Sequence, residues 1–186
     1  MSYLPLMIAG FAFMLIGWLV SSKLKRTFEK YSKVPSQRGL TGKEIAEQML
    51  KHYGIYDVRV ISVQGQLTDH YNPMNKTVNL SEAVCNERNA AAAAVAAHEC
   101  GHAVQHDTAY RWLGIRSKLV PIQNVSARVL QILMIALMIG GACLYAVFPV
   151  ELVLWIMVVG YGAMALFALV TLPVEFDASK RALQWI

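Results

Sequence analysis

The stretch "AAHECGHAVQH", residues 96–106, decides how the rest of the chain is read. It places His98, His102 and His106 at intervals of four, with Glu99 directly after the first. The Ala-rich tract "NAAAAAVAA" (89–97) leads into it, and alanine is the strongest helix former, so the spacing predicts one helix reaching about Asp107. Side chains four apart on a helix stack on one face, which allows His98 and His102 to grip one metal ion. Glu99 then projects toward a water on that metal as a general base. The pattern is that of a zinc hydrolase, H-E-x-x-H. Placing this many titratable groups on an Ala-rich helix costs burial energy unless something pairs them.

Two imidazoles need a third ligand. His106 lies eight residues from His98, about 12 Å along a helix, which puts both at the limit of reach with His102 between them. It is expected instead at the helix end, where a cationic imidazole suits the macrodipole. The metzincin continuation requires Gly and His where this chain has Gln105 and Thr108, so that class is excluded. An intramembrane site would bury the motif in a span and add an Asp-Gly ligand, and no Asp-Gly dipeptide occurs.

Composition sets the surroundings of this helix. Hydrophobic residues form 56% of the 186 and charged ones 16%, too apolar for an ordinary small soluble protein. The excess concentrates in Tyr3–Val20, Val129–Phe148 and Leu152–Leu172, none of which contains a charged side chain. Each is long enough to cross a hydrocarbon core of about 30 Å, so three transmembrane helices are expected. The first reads as a retained anchor, since no Lys or Arg precedes it and no cleavage site follows.

All 17 Lys and Arg lie within 23–128 or at Lys180 and Arg181, and the turn Pro149-Val150-Glu151 has none. By the positive-inside pattern the N-terminus lies outside and 23–128 and the C-terminal segment lie in the cytoplasm. The net charge of +5 is thus a matter of topology, with Lys23, Lys25, Arg26, Lys30 and Lys33 near lipid headgroups. No aromatic-interleaved basic motif points to nucleic acid. No Asp, Glu, Lys, Arg or His lies in the three runs, which leaves a transporter unsupported. Cys85, Cys100 and Cys143 form no C-x-x-C pair and receive no metal or redox role.

The expected organisation is an α+β membrane protein: an anchor (1–22), a small zincin-like cytoplasmic domain (23–128), a transmembrane hairpin (129–172) and a cytoplasmic helix (173–186). "TGKE" (41–44) is a capping box that opens a helix to about His52. "IYDVRVISV" (55–63) alternates like a strand. "GQLTDHY" and "KTVNL" flank the turn-forming "NPMN" and predict a hairpin, either arm of which is a candidate edge for an extended substrate. His70 and Tyr71, in the first arm, are candidate oxyanion or substrate contacts. Pro173 is expected to break or restart a helix after the last span, placing Glu175 at the cytoplasmic boundary. That makes Glu175 the candidate third ligand, the gluzincin arrangement of two His and one Glu. Asp177 and Ser179 are candidates to orient the imidazoles.

"HECGH", "LTDHYNP" and "LPVEFDAS", in this order, resemble the YugP-like neutral zinc metallopeptidases of bacterial membranes. More distantly the arrangement is similar to HtpX-type proteases, where a membrane hairpin separates H-E-x-x-H from the ligand Glu. The resemblance covers nearly the whole chain. It implies one Zn2+ held by His98, His102 and Glu175, Glu99 as catalytic base, and endopeptidase action on a peptide or protein substrate at the bacterial cytoplasmic membrane. The sequence departs from the HtpX-type pattern at Ser179, where that group has Asp. The family also implies a further hydrophobic segment beyond "SKRAL", where this sequence ends at Ile186. The rival expectation from another class is a zinc-stabilised membrane adaptor or regulator that cuts nothing and closes its metal with a fourth protein ligand.

Overall fold

The computed structural model describes residues 4–65 and 67–186, with the side chains of residues 4–6, 9 and 141–147 left aside. Tyr3 and the Cys143 side chain therefore lie outside the described residues. In chain order the elements are α1 (Leu4–Ser32), α2 (Gly42–His52), β1 (Arg59–Val63), β2 (His70–Asn72), β3 (Thr77–Ser81), α3 (Glu82–Cys85), α4 (Ala90–Asp107), α5 (Arg111–Val147) and α6 (Val150–Trp185). They group into two compact units, Met1–Ala103 with Ala182–Ile186, and Val104–Arg181; α4 and α6 each contribute to both.

In the first unit α2 starts at the predicted capping box. Glu44 N–H donates to the Thr41 hydroxyl at 3.1 Å, and Thr41 N–H donates back to the Glu44 carboxylate at 2.7 Å. The helix buries Ile45, Ala46, Met49 and Leu50, the side its spacing marks as apolar. Gly42 is required by packing, since a Cβ there would lie 2.1 Å from the Val84 carbonyl oxygen. The strand expected from residue 55 begins only at Arg59. Gly54 turns the chain with φ +72, and Ile55 N–H is spent on the Leu50 carbonyl.

The sheet order is β1-β3-β2, with β1 parallel and β2 antiparallel to β3. The predicted hairpin is present: Asn72 Oδ1 accepts from Met74 N–H and Asn75 N–H, so the Asn of "NPMN" builds the turn with its own side chain. β3, the "TVNLS" strand, is central and buried throughout. It thus offers no edge, whereas β2 does. At the start of α4, Asn89 Oδ1 caps Ala92 N–H at 2.9 Å. Ala91, Ala92, Ala96, Ala97 and Cys100 are buried, and their small side chains let α4 seat deeply in this unit.

In the second unit α5 contains Pro121 and a kink at Gly140. Gly160 of α6 meets Leu130 of α5 so closely that a Cβ would lie 2.9 Å from the leucine Cγ. Small residues permit such approaches between apolar helices. Pro173, expected to break or restart a helix, lies inside the continuous α6, which tolerates one missing backbone donor there.

The expectation of three transmembrane helices is corrected. Among the described residues two helices are long and apolar enough to cross a membrane, Arg111–Gly140 and Val150–Trp185. Only 6% and 11% of their most apolar windows are buried within the protein, unlike the core helix of a soluble protein. The N-terminal apolar run does not stand apart as a third. No breaker separates it from the basic segment that follows, and both join in the single helix α1, whose second half carries Lys23, Lys25, Arg26 and Lys30. The basic residues that follow the apolar run continue the same helix to Ser32.

Candidate metal centre

The first unit presents the histidine motif on α4. The His98 and His102 rings occupy successive turns with centroids 4.8 Å apart and planes nearly perpendicular, at 83°. His102 is 8% and Glu99 9% exposed, while His98 is half-buried. Cys100 does not join them: its thiol is fully buried and directed at the Ala46 carbonyl, 3.6 Å away. Burial pushes that thiol well above its ordinary value, with the Glu99 charge adding to the effect. The donors offered by this face are therefore imidazole and carboxylate, a set suited to zinc.

Glu99 meets the hairpin. The backbone N–H of Tyr71, on the outer edge of β2, donates to Glu99 Oε2 at 3.0 Å. Burial raises the Glu99 carboxyl above its ordinary value of 4.5; the imidazoles of His102 and His98 and the Tyr71 N–H oppose the rise, and Asp69 reinforces it. Asp69 was not singled out in the sequence. Its carboxylate accepts from Ser81 N–H at 2.7 Å and from the Ser81 hydroxyl at 3.1 Å, which clips the start of β2 to the end of β3. The signal was its position inside "LTDHYNP", one residue before the strand. His70 is exposed, with Nδ1 2.7 Å from the Thr68 carbonyl. His106 is exposed in the last turn of α4.

The second unit holds the "PVEFDAS" turn of α6. Glu175 is half-buried, with Arg116 of α5 3.9 Å from its Oε1. Asp177 takes a hydrogen bond from the Gln105 amide at 2.9 Å and one from Arg181 Nε at 2.6 Å. Ser179 is half-buried one turn beyond Glu175. Gln105, Arg116 and Arg181 escaped the sequence reading. Gln105 was visible only as the residue that broke the metzincin pattern, though a polar side chain three residues after His102 marks the same helix face.

Comparison with known proteins agrees with this chemistry. A family model described as "Putative neutral zinc metallopeptidase" matches residues 6–186. "Putative membrane protease YugP" of Bacillus subtilis (strain 168) is 43% identical over 164 residues, which is 88% of this chain and 69% of that protein. No solved structure matches. A match that runs from the first apolar helix to the last residue, together with this level of identity, shows that the chain belongs to the neutral zinc metallopeptidase family.

Proposed function

We propose that the chain is a membrane-embedded zinc endopeptidase in which His98, His102 and Glu175 hold one zinc ion and Glu99 is the general base. The observation that carries this reading is the Glu99 carboxylate, buried beside two imidazoles and hydrogen-bonded to the edge of a strand. A purely structural metal site has no need of a desolvated carboxylate next to its ligands. His98 and His102 occupy successive turns of one helix, and Glu175 is the third ligand that the family resemblance implies. Two His and one Glu are the donor set of a catalytic zinc and would leave the ion able to bind water.

Zinc bound there supplies Lewis acidity, polarising a peptide carbonyl and making a water more acidic. The protein's own part falls to Glu99. Burial makes its carboxylate more basic than an exposed one, so it accepts the water proton readily and passes it to the departing amide nitrogen. Tyr71 N–H holds Oε2, which leaves Oε1 for the proton. An extended substrate aligns along β2, whose outer edge lies beside Glu99, since β3 is enclosed between its neighbours. The basic residues flanking the two apolar helices, and their absence from the turn at 149–151, support a catalytic part on the cytosolic side of a bacterial membrane.

The test uses the full chain in detergent micelles. One zinc per chain is expected, with cleavage of an unfolded protein substrate that a chelator abolishes and added Zn2+ restores. A chain that holds one zinc and cuts neither unfolded proteins nor peptides would overturn the peptidase reading in favour of an adaptor.

A further inference from the structure

We propose that Gln105 is a positioning residue: its side-chain amide fixes the turn of α6 that carries Glu175 and so presets that carboxylate as a ligand. The inference rests on the ligand role proposed for Glu175.

Gln105 is fully buried, and a buried amide is costly unless its donors are satisfied. Its Nε2 donates to the Val174 carbonyl at 2.8 Å and to Asp177 Oδ2 at 2.9 Å. These acceptors bracket Glu175 in the chain. The turn they hold is the one α6 supports least by itself, because Pro173 offers no N–H to the Leu169 carbonyl. Packing of apolar side chains would hold two helices together without fixing the rotation of either. Two hydrogen bonds from one planar amide do fix it.

The contact is also locked from outside. Arg181 Nε donates to the same Asp177 oxygen at 2.6 Å, and the Arg181 guanidinium lies 5.8 Å over the Tyr110 ring. Tyr110 N–H returns to the Gln105 backbone carbonyl at 2.9 Å. Gln105, Asp177, Arg181 and Tyr110 thus form a closed circuit around the Glu175 turn. A glutamine that served only to finish α4 would be sufficient with its backbone carbonyl, which Tyr110 already satisfies.

The experiment is a double-mutant cycle on the full chain in micelles, reading Zn2+ affinity by chelator competition and the visible spectrum of the Co2+-loaded chain. Gln105→Met keeps the side-chain length and removes the amide. It is expected to weaken Zn2+ binding by roughly tenfold or more, the scale seen when a group supporting a metal ligand is lost. Its Co2+ spectrum is expected to move toward that of Glu175→Ala, and adding Gln105→Met to Glu175→Ala should weaken binding no further. Equal weakening in both backgrounds, or unchanged affinity and spectrum, overturns the proposal. Asp177→Ala reaches the same contact from its solvent-facing side, and the same outcomes apply to it should Gln105→Met fail to fold. If Glu175→Ala itself leaves Zn2+ affinity unchanged, the ligand role of Glu175 is what has failed, and the positioning role falls with it.

Discussion

The backbone N–H of Tyr71 donates to the carboxylate of Glu99, 28 residues further along the chain, at 3.0 Å. A strand edge and a buried acid are thereby held as one device. The bond satisfies a carboxylate that would otherwise be desolvated next to two imidazoles, and it sets which oxygen remains for chemistry.

Glu99→Gln separates these two roles. The amide oxygen still accepts from Tyr71 N–H, so the fold and zinc content are expected to be unchanged. Peptide cleavage should fall by about two to four orders of magnitude, the usual worth of a positioned general base. Zinc analysis beside a turnover assay checks it, and a variant that still cuts at the parent rate would refute the base assignment.

The three histidines of α4 should differ. His98→Ala or His102→Ala is expected to lose zinc under dialysis, because each removes one of three proposed ligands. His106→Ala should retain it, since that ring lies exposed in the last turn. Loss of zinc from His106→Ala alone would displace the proposed ligand set.

The capping box makes a prediction about pH. The Thr41 N–H and hydroxyl hold the Glu44 carboxyl below its ordinary value of 4.5, with Arg88 assisting. A carboxyl depressed in the folded state contributes stability that is complete above 4.5 and is lost as the pH falls through its lowered folded value. Glu44→Gln should therefore flatten the acid side of the stability–pH curve and leave the slope at neutral pH unaltered. Thr41→Ala should cost about 1 kcal/mol at neutral pH, as loss of an N-cap does. Denaturant titrations across the acid range distinguish these outcomes.

Cys100 should be chemically silent. Its thiol is enclosed, and burial raises its pKa, so little thiolate forms at neutral pH. Mass spectrometry after maleimide treatment of the native chain is expected to find Cys100 unmodified, and modified only once the chain is unfolded. Rapid labelling in the native state would contradict the packing of α4 against Ala46.

Local rules written in the sequence determined much of this protein. Thr41 and Glu44 start α2, Asn72 turns the hairpin, and the alanines with His98, Glu99 and His102 make a motif helix, because capping, turn and helix preferences act within a few residues. The two apolar helices near the C-terminus were legible for the same reason. Tertiary structure decided the rest. It joined the N-terminal apolar run to the basic residues behind it in one helix, carried α6 through Pro173, and enclosed β3 so that only β2 presents an edge beside Glu99. It also turned Gln105 from a broken pattern into the amide that grips Val174 and Asp177. Partners 69 and 72 residues apart leave no periodic trace, since the amide was matched to its acceptors by the packing of two helices and not by their order in the chain.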